Sequence, residues 1–174
     1  MSKVIWFTGM SGVGKTTILK HGMDYVNTKG FTSNSIDGDD VRNKYKIPIG
    51  FSYDEVCTNN KRIAELCNKI YKNYDFLFVA VISPYEKTRN EIKKILNNNI
   101  YFIYVHANID DLKLRDAKGL YEQADQGLID NLIGYSKDSP YELPLNPDLK
   151  IDTSKKNSID NSKRKIEEFI SKLI

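Results

Sequence analysis

The sequence predicts a three-layer α/β domain: a mostly parallel sheet with helices on both faces and a lid. Three observations predict it. Continuous apolar runs alternate with helix-period patterns, the signature of parallel strands buried on both faces between covering helices. A glycine-rich loop separates the first apolar run from the first helical pattern. From 115 to 147 all periodicity gives way to glycines, prolines and tyrosines. A loop of that length in a compact domain usually has a task of its own, and a lid is the natural one.

Taken in order, Lys3–Thr8 reads as a strand running into glycines, 17–29 as a helix and 31–36 as a short strand. Residues 54–73 form a long helix with Val56, Ile63, Leu66, Cys67 and Ile70 as its apolar stripe. Then come an apolar strand at 76–83, a helix at 86–96, an asparagine turn at 97–99 and a strand at Ile100–His106. A helix over 158–173 closes the chain, with Ile159, Ile166, Phe169, Ile170 and Leu173 on one face. Neither repeats nor low-complexity linkers interrupt this order.

Composition bounds the function. The 174 residues are 40% hydrophobic and 28% charged, which suits one domain spanning 1–174 and excludes a disordered chain. With 26 basic and 23 acidic residues the net charge is +3, too balanced for a nucleic-acid coat. No apolar run approaches the ~20 residues of a membrane span. The opening Met1-Ser2-Lys3-Val4-Ile5-Trp6-Phe7 is too short for a signal peptide. A cytoplasmic enzyme without nucleic-acid or membrane partners is expected; the sequence leaves a homodimer open. Cys57 and Cys67 lie ten residues apart on one helix, roughly 80° and 15 Å from each other. They read as core thiols rather than as a disulfide or metal pair.

The string Gly9-Met10-Ser11-Gly12-Val13-Gly14-Lys15-Thr16 fits G-x-x-x-x-G-K-[ST], after a strand and opening a helix. Its glycines let backbone N–H groups converge on phosphate oxygens, and the helix N-terminus adds partial positive charge. Lys15 reaches the β- and γ-phosphates and Thr16 ligates Mg²⁺. Gly9, Ser11, Gly12, Val13, Gly14, Lys15, Thr16 and Thr17 are therefore the expected ATP contacts, in a P-loop NTPase-type fold with Mg²⁺ and ATP as cofactor and co-substrate. A switch GTPase is excluded: the nearest string to a guanine-reading Asn-Lys-x-Asp is Asn60-Lys61-Arg62-Ile63, which lacks the aspartate.

A small-molecule kinase also needs a carboxylate near its acceptor. Asp37-Gly38-Asp39-Asp40-Val41-Arg42 follows the second strand, at the carboxyl edge where open α/β sheets bind ligands. A carboxylate there accepts a hydroxyl proton or holds a metal, and Arg42 clamps an acidic acceptor. A solvated acidic helix cap would read the same.

With the P-loop, this segment resembles the adenylyl-sulfate (APS) kinase family. The similarity continues through Phe51-Ser52, Asn59, Arg62-Ile63-Ala64-Glu65, Ile82-Ser83-Pro84-Tyr85 with Arg89, Arg115-Asp116, Lys118-Gly119-Leu120-Tyr121 and Pro140-Tyr141-Glu142-x-Pro144. The resemblance implies transfer of the ATP γ-phosphate to a ribose 3′-hydroxyl. It implies Asp39, Lys15 and Lys118 as catalytic, Thr16 and Asp39 as metal-holding, and Arg115 as an ATP contact at the start of the lid. It implies Asp37, Arg42, Phe51, Asn59, Arg62, Ile82, Ser83, Lys118 and Leu132 as the acceptor side, with Phe51 stacking on the base.

Departures from the family pattern cluster on the acceptor side. Glu55-Val56 stands where Asp-Arg is usual, Asn131-Leu132-Ile133-Gly134 where a Glu-Phe-Thr-Gly is usual, and Glu122-Gln123-Ala124-Asp125 where the lid is usually basic. A lost charge-assisted hydrogen bond and a lost base stack together cost about 2.5–6 kcal/mol. These departures favour cytidine diphosphoramidate as acceptor, in capsular polysaccharide phosphoramidate synthesis, with Glu122 and Asp125 facing its amine. Adenylyl sulfate in sulfate assimilation is the alternative. A nucleotide-binding regulator without turnover is the reading from another class. Tyr135 is a candidate to rebuild part of the base platform.

Overall fold

The structure, a computed structural model, describes residues 2–43, 50–97 and 99–174; Asn98, in the expected asparagine turn, lies outside them. Strands β1 (Lys3–Thr8), β2 (Ser33–Asp37), β3 (Phe76–Ala80), β4 (Ile100–His106) and β5 (Leu149–Asp152) form one sheet in the order β2-β3-β1-β4-β5. Every pairing is parallel; Ile5 of β1 lies opposite both Phe78 and Tyr101.

The central strand explains the two covering layers. Val4, Ile5, Trp6 and Phe7 are all fully buried, and successive side chains of a strand point to opposite faces. Ile5 and Phe7 meet Ile18, Leu19 and Val26 of α1 (Lys15–Thr28) and Ile166 and Ile170 of α7 (Ile159–Ser171). Val4 and Trp6 meet Ile63, Ala64 and Cys67 of α3 (Tyr53–Ile70) and Ile92 of α4 (Glu86–Ile95). Burial pushes the Cys67 thiol up to about 12, as expected for an inert core thiol.

Several boundaries differ from the sequence expectation. The strand expected at 76–83 leaves the sheet after Ala80, and Ser83 adopts a φ of 45°. In the long helix Leu66 is 38% exposed; the buried stripe runs through Val56, Asn59, Asn60, Ile63, Ala64 and Cys67 instead. The chain also forms β5 and three short helices absent from the expected order: α2 (Gly38–Asn43), α5 (Ile109–Arg115) and α6 (Leu120–Asp125). The last lies inside the expected lid.

From β1 the chain crosses to β2 on one side of the sheet, whereas β3 leads across β1 to β4 on the other. Ligands of open α/β sheets bind at the carboxyl ends of the strands at such a reversal. The glycine-rich loop follows β1 at this point.

Candidate active site

Gly9 ends β1 with a φ of 150°, and a Cβ on it would stand 2.1 Å from the Val105 carbonyl oxygen. Gly12 and Gly14 have φ values of 75° and 91°, a region that glycine enters without penalty. The loop therefore curls back over the start of α1. The Lys15 ammonium donates to the carbonyls of Gly9 and Met10, both at 2.8 Å.

Burial pulls the Lys15 pKa down to about 8; the neighbouring Lys118 adds to the depression, while Asp39 and Asp37 oppose it. A phosphate beside the ammonium favours its charged form, so phosphate binding raises this pKa and takes up a proton. ADP affinity is therefore expected to fall as pH rises through about 8. Calorimetry near pH 8.5, in two buffers of different ionisation enthalpy, should register proton uptake; identical heats would contradict it.

Two carboxylates of the Asp37–Asp39 segment divide the work. Asp37 ends β2 and accepts from the Thr16 hydroxyl at 3.2 Å and from the Asp39 N–H at 2.9 Å. Asp39, on the first turn of α2, faces the 115–147 segment instead, where the Lys118 ammonium donates to it at 2.5 Å. Of the two aspartates it is Asp37, rather than the expected Asp39, that hydrogen-bonds Thr16. Asp37 stands beside Thr16 because the strand end carries it there, and the α2 turn carries Asp39 away. Among the described residues no group of three or more His, Cys, Asp or Glu could hold a metal unaided. One hydroxyl with a nearby carboxylate is nevertheless the hard-oxygen set that suits Mg²⁺ shared with phosphates.

Two cavities meet at the loop. The front one, about 570 Å³, lies over the β2–β3 half of the sheet and reaches from Lys15 and Thr16 past Asp39 and Lys118 to Arg42 and Phe51. Asp37, Asn59, Ile82 and Leu132 also line it. The Arg42 guanidinium lies 4.5 Å from the centre of the Phe51 ring and donates to the Gly50 carbonyl at 2.7 Å. Asn59 is 1% exposed, and its Oδ1 is the one buried side-chain N or O among the described residues without a hydrogen-bond partner. Such an orphan costs about 1–3 kcal/mol, which a ligand donor in the cavity would recover. The rear cavity, about 310 Å³, lies over the β4–β5 half between Gly12, Val13, Gly14, Arg115 and Thr153.

Other expected site residues lie elsewhere. Ser83 is fully buried and lines neither cavity; its hydroxyl accepts from Trp6 Nε1 at 2.9 Å and donates to Asn60 Oδ1 at 2.6 Å. Its own geometry spends the hydroxyl on the core. Arg62 is on the exposed side of α3 and lines neither cavity. Asp125 pairs with Lys113 at 2.6 Å and accepts from the Tyr135 hydroxyl, so it does not face an acceptor amine. Neither Glu122 nor Tyr135 lines the front cavity.

The remaining sequence blocks converge into a brace. Arg89, 2% exposed, donates to the carbonyls of Ser83 and Glu142 at 2.7 and 2.8 Å and pairs with Glu86. The Tyr141 hydroxyl meets Thr8 Oγ1 at 2.8 Å. Together they fasten the end of the 115–147 segment to the end of β3, where Ile82 forms part of the cavity wall.

Comparison with known proteins completes the picture. Residues 1–152 match the family model described as adenylylsulphate kinase. The chain is 40% identical over 174 residues to the adenylyl-sulfate kinase of Prochlorococcus marinus, covering 99% of this chain and 84% of that protein. The chain belongs to the adenylyl-sulfate kinase family. It is also 36% identical to the adenylyl-sulfate kinase of Halothermothrix orenii, across 95% of this chain and 88% of that one. The fold superposes on a Mycobacterium tuberculosis APS kinase solved with AMPPNP and APS, with a TM-score of 0.85 at 28% identity and 98% coverage of both chains. The P-loop kinase architecture follows from this likeness.

One wall of the front cavity is apolar. Val56 and Leu132, 2% and 6% exposed, line the front cavity as apolar surface. Glu55 turns away to cap α3: its carboxylate accepts from the N–H groups of Gly50 and Ser52. Hydrogen bonds from Ser52 hold that carboxyl below its usual range. Sequence reasoning missed Thr153, Asn157 and Ser162 in the rear cavity. They follow a four-residue edge strand, too short to leave a pattern.

Proposed function

We propose that this protein is an ATP-dependent adenylyl-sulfate kinase of the cytoplasm, transferring the ATP γ-phosphate to the ribose 3′-hydroxyl of adenylyl sulfate in sulfate assimilation. The observation that carries this reading is the meeting of two cavities at the phosphate loop, with the Asp39–Lys118 pair beside Lys15 in the front one. The named relatives support adenylyl sulfate over the cytidine diphosphoramidate and capsule synthesis favoured by the sequence departures.

In this reading ATP lies in the rear cavity with its phosphates over the loop, and the acceptor fills the front one. Thr16, with Asp37 behind it, would hold Mg²⁺, which when bound neutralises charge on the β- and γ-phosphates. Lys15 leaves the carbonyls of Gly9 and Met10 for the phosphate oxygens. Asp39 accepts the proton of the attacking hydroxyl, and Lys118 moves from Asp39 to the transferring phosphoryl group. Arg42, Phe51 and Asn59 hold the acceptor nucleotide. Such chemistry is mostly positioning and charge neutralisation, which these groups supply.

One observation favours a second reading. With Val56 and Leu132 apolar, the acceptor wall offers neither an added cation nor a second aromatic, which suits a smaller base and a less anionic end group, as in cytidine diphosphoramidate. Initial rates of ADP release from Mg-ATP, with each acceptor in parallel, separate the two. Adenylyl sulfate is expected to turn over with kcat/KM above about 10⁴ M⁻¹s⁻¹, the low end of ordinary enzymes. A hundredfold advantage for the cytidine compound would establish the second reading instead. ADP binding without turnover on either would point to a regulator.

A further inference from the structure

Two hydroxyl groups outside the phosphate loop grip it from opposite sides. The Tyr121 hydroxyl of α6 donates to the Ser11 carbonyl at 2.9 Å. The Thr153 hydroxyl, just beyond β5, donates to the Val13 carbonyl at 2.8 Å. Each gripped carbonyl belongs to the peptide immediately before a glycine: Gly12 after Ser11 and Gly14 after Val13.

A trans peptide holds its C=O and the next residue's N–H pointing in opposite directions. Fixing the Ser11 carbonyl outward therefore fixes the Gly12 N–H inward, and fixing the Val13 carbonyl does the same for Gly14. These two peptides are the ones that need fixing. Rotating a peptide plane changes φ of the following residue, and glycine tolerates either sign, so the loop's own backbone does not choose between N–H inward and C=O inward. We propose that Tyr121 and Thr153 are positioning residues: their hydroxyls orient the Gly12 and Gly14 amides toward the phosphates, one amide each.

Both grips are themselves anchored. Tyr121 is 2% exposed, and its ring stands edge-on to Tyr135 with centres 5.3 Å apart. The Asp116 carboxylate accepts from the N–H groups of Tyr121 and Glu122 at 3.1 and 2.9 Å, pinning the start of α6. Thr153 donates its N–H to the His106 carbonyl at 2.8 Å, and its own carbonyl accepts from Arg115. Tyr121 lines neither cavity, whereas Thr153 lines the rear one. Because Lys118 and Leu120 of the same lid segment line the front cavity, acceptor-side movement of α6 would reach the loop through Tyr121.

The inference rests on the loop binding nucleotide phosphates, hence on the kinase reading, but not on which acceptor is used. It is tested by ADP titration with Mg²⁺ on the full chain, following amide proton shifts by NMR and affinity by calorimetry. A phosphate oxygen draws the amide proton it binds downfield. Tyr121→Phe, which keeps the ring, is expected to diminish the ADP-induced shift of Gly12 and spare that of Gly14. Thr153→Val is expected to do the reverse, and Thr153→Ser, which keeps the hydroxyl, to restore it. Each hydroxyl deletion should weaken ADP binding about three- to tenfold, as the loss of one hydrogen bond implies. Equal loss of both shifts, or retention of both, would overturn the assignment and leave the hydroxyls a purely structural role. Absence of ADP binding to the unaltered protein would instead overturn the kinase reading, and this inference with it.

Discussion

Asp39→Asn is expected to lower kcat by about two to four powers of ten, the usual contribution of a positioned proton acceptor, while ADP binds within threefold of the unaltered protein. The carboxylate lines the front cavity, outside the loop that cradles phosphate. Its partner is Lys118 rather than the P-loop threonine. Asparagine preserves size and still receives the lysine, so shape alone does not account for a loss of that order. A stopped assay for ADP release, paired with calorimetric ADP titration, measures both halves. Turnover near the original value would show that Asp39 only anchors the lid.

Gly9→Ala should be the most damaging of the glycine-to-alanine changes, since only there would the added carbon meet backbone closer than 3.0 Å. At a φ of 150° the added carbon would meet the Val105 carbonyl oxygen at 2.1 Å and a Val13 methyl at 3.1 Å. The obstacle on the β4 side is backbone, held in register with β1, and cannot swing aside like a flexible side chain. Either the two central strands part or the loop lifts. A misplacement of about 1 Å costs on the order of a hundredfold in rate, so kcat/KM is expected to drop at least that far, with a lowered melting temperature. Gly30→Ala supplies the comparison: its φ of 85° is strained too, but nothing stands within 4 Å of its added carbon. Equal losses of activity in the two variants would remove the close strand contact as the cause.

How much of this was legible in the sequence follows from where each residue sits. The interior strands β1, β3 and β4 were plain because both of their faces are covered, leaving them apolar but for Lys3, Thr8 and His106 at their ends and two tyrosines in β4. The edge strands were less so: β2 is expected at 31–36, within two residues of its place, but β5 is not expected at all. Ser33–Asp37 carries one buried apolar side chain, Ile36, and Leu149–Asp152 likewise one, Ile151, so their pairing comes from neighbours rather than from their own pattern. The phosphate loop was legible because left-handed backbone, a cation and a hydroxyl at fixed spacing demand particular residues. By contrast, two aspartates two positions apart look alike in a string. Which one meets Thr16 is decided by where β2 ends and α2 begins. The same holds for Asp125, whose charge invited a ligand but whose position gives it Lys113 and Tyr135. Ser83 was read as a ligand contact, yet the buried Trp6 indole claims its hydroxyl. Short helices such as α6 owe their shape to contacts made elsewhere, here the Asp116 carboxylate and the Ser11 carbonyl, and a six-residue stretch displays no period of its own.

The arrangement of the two cavities has a stereochemical consequence. One lies over the β2–β3 half of the sheet and the other over the β4–β5 half, with the phosphate loop between them. On the proposed reading, with the acceptor in front and ATP behind, the attacking hydroxyl would meet a phosphorus whose departing oxygen points to the rear. The two oxygens would then stand on opposite sides of the migrating group, the alignment in-line displacement requires, with no need of a protein nucleophile. A phosphoryl group made chiral with three oxygen isotopes would therefore be transferred with a single inversion of configuration, each nucleotide keeping to its own flank of the sheet.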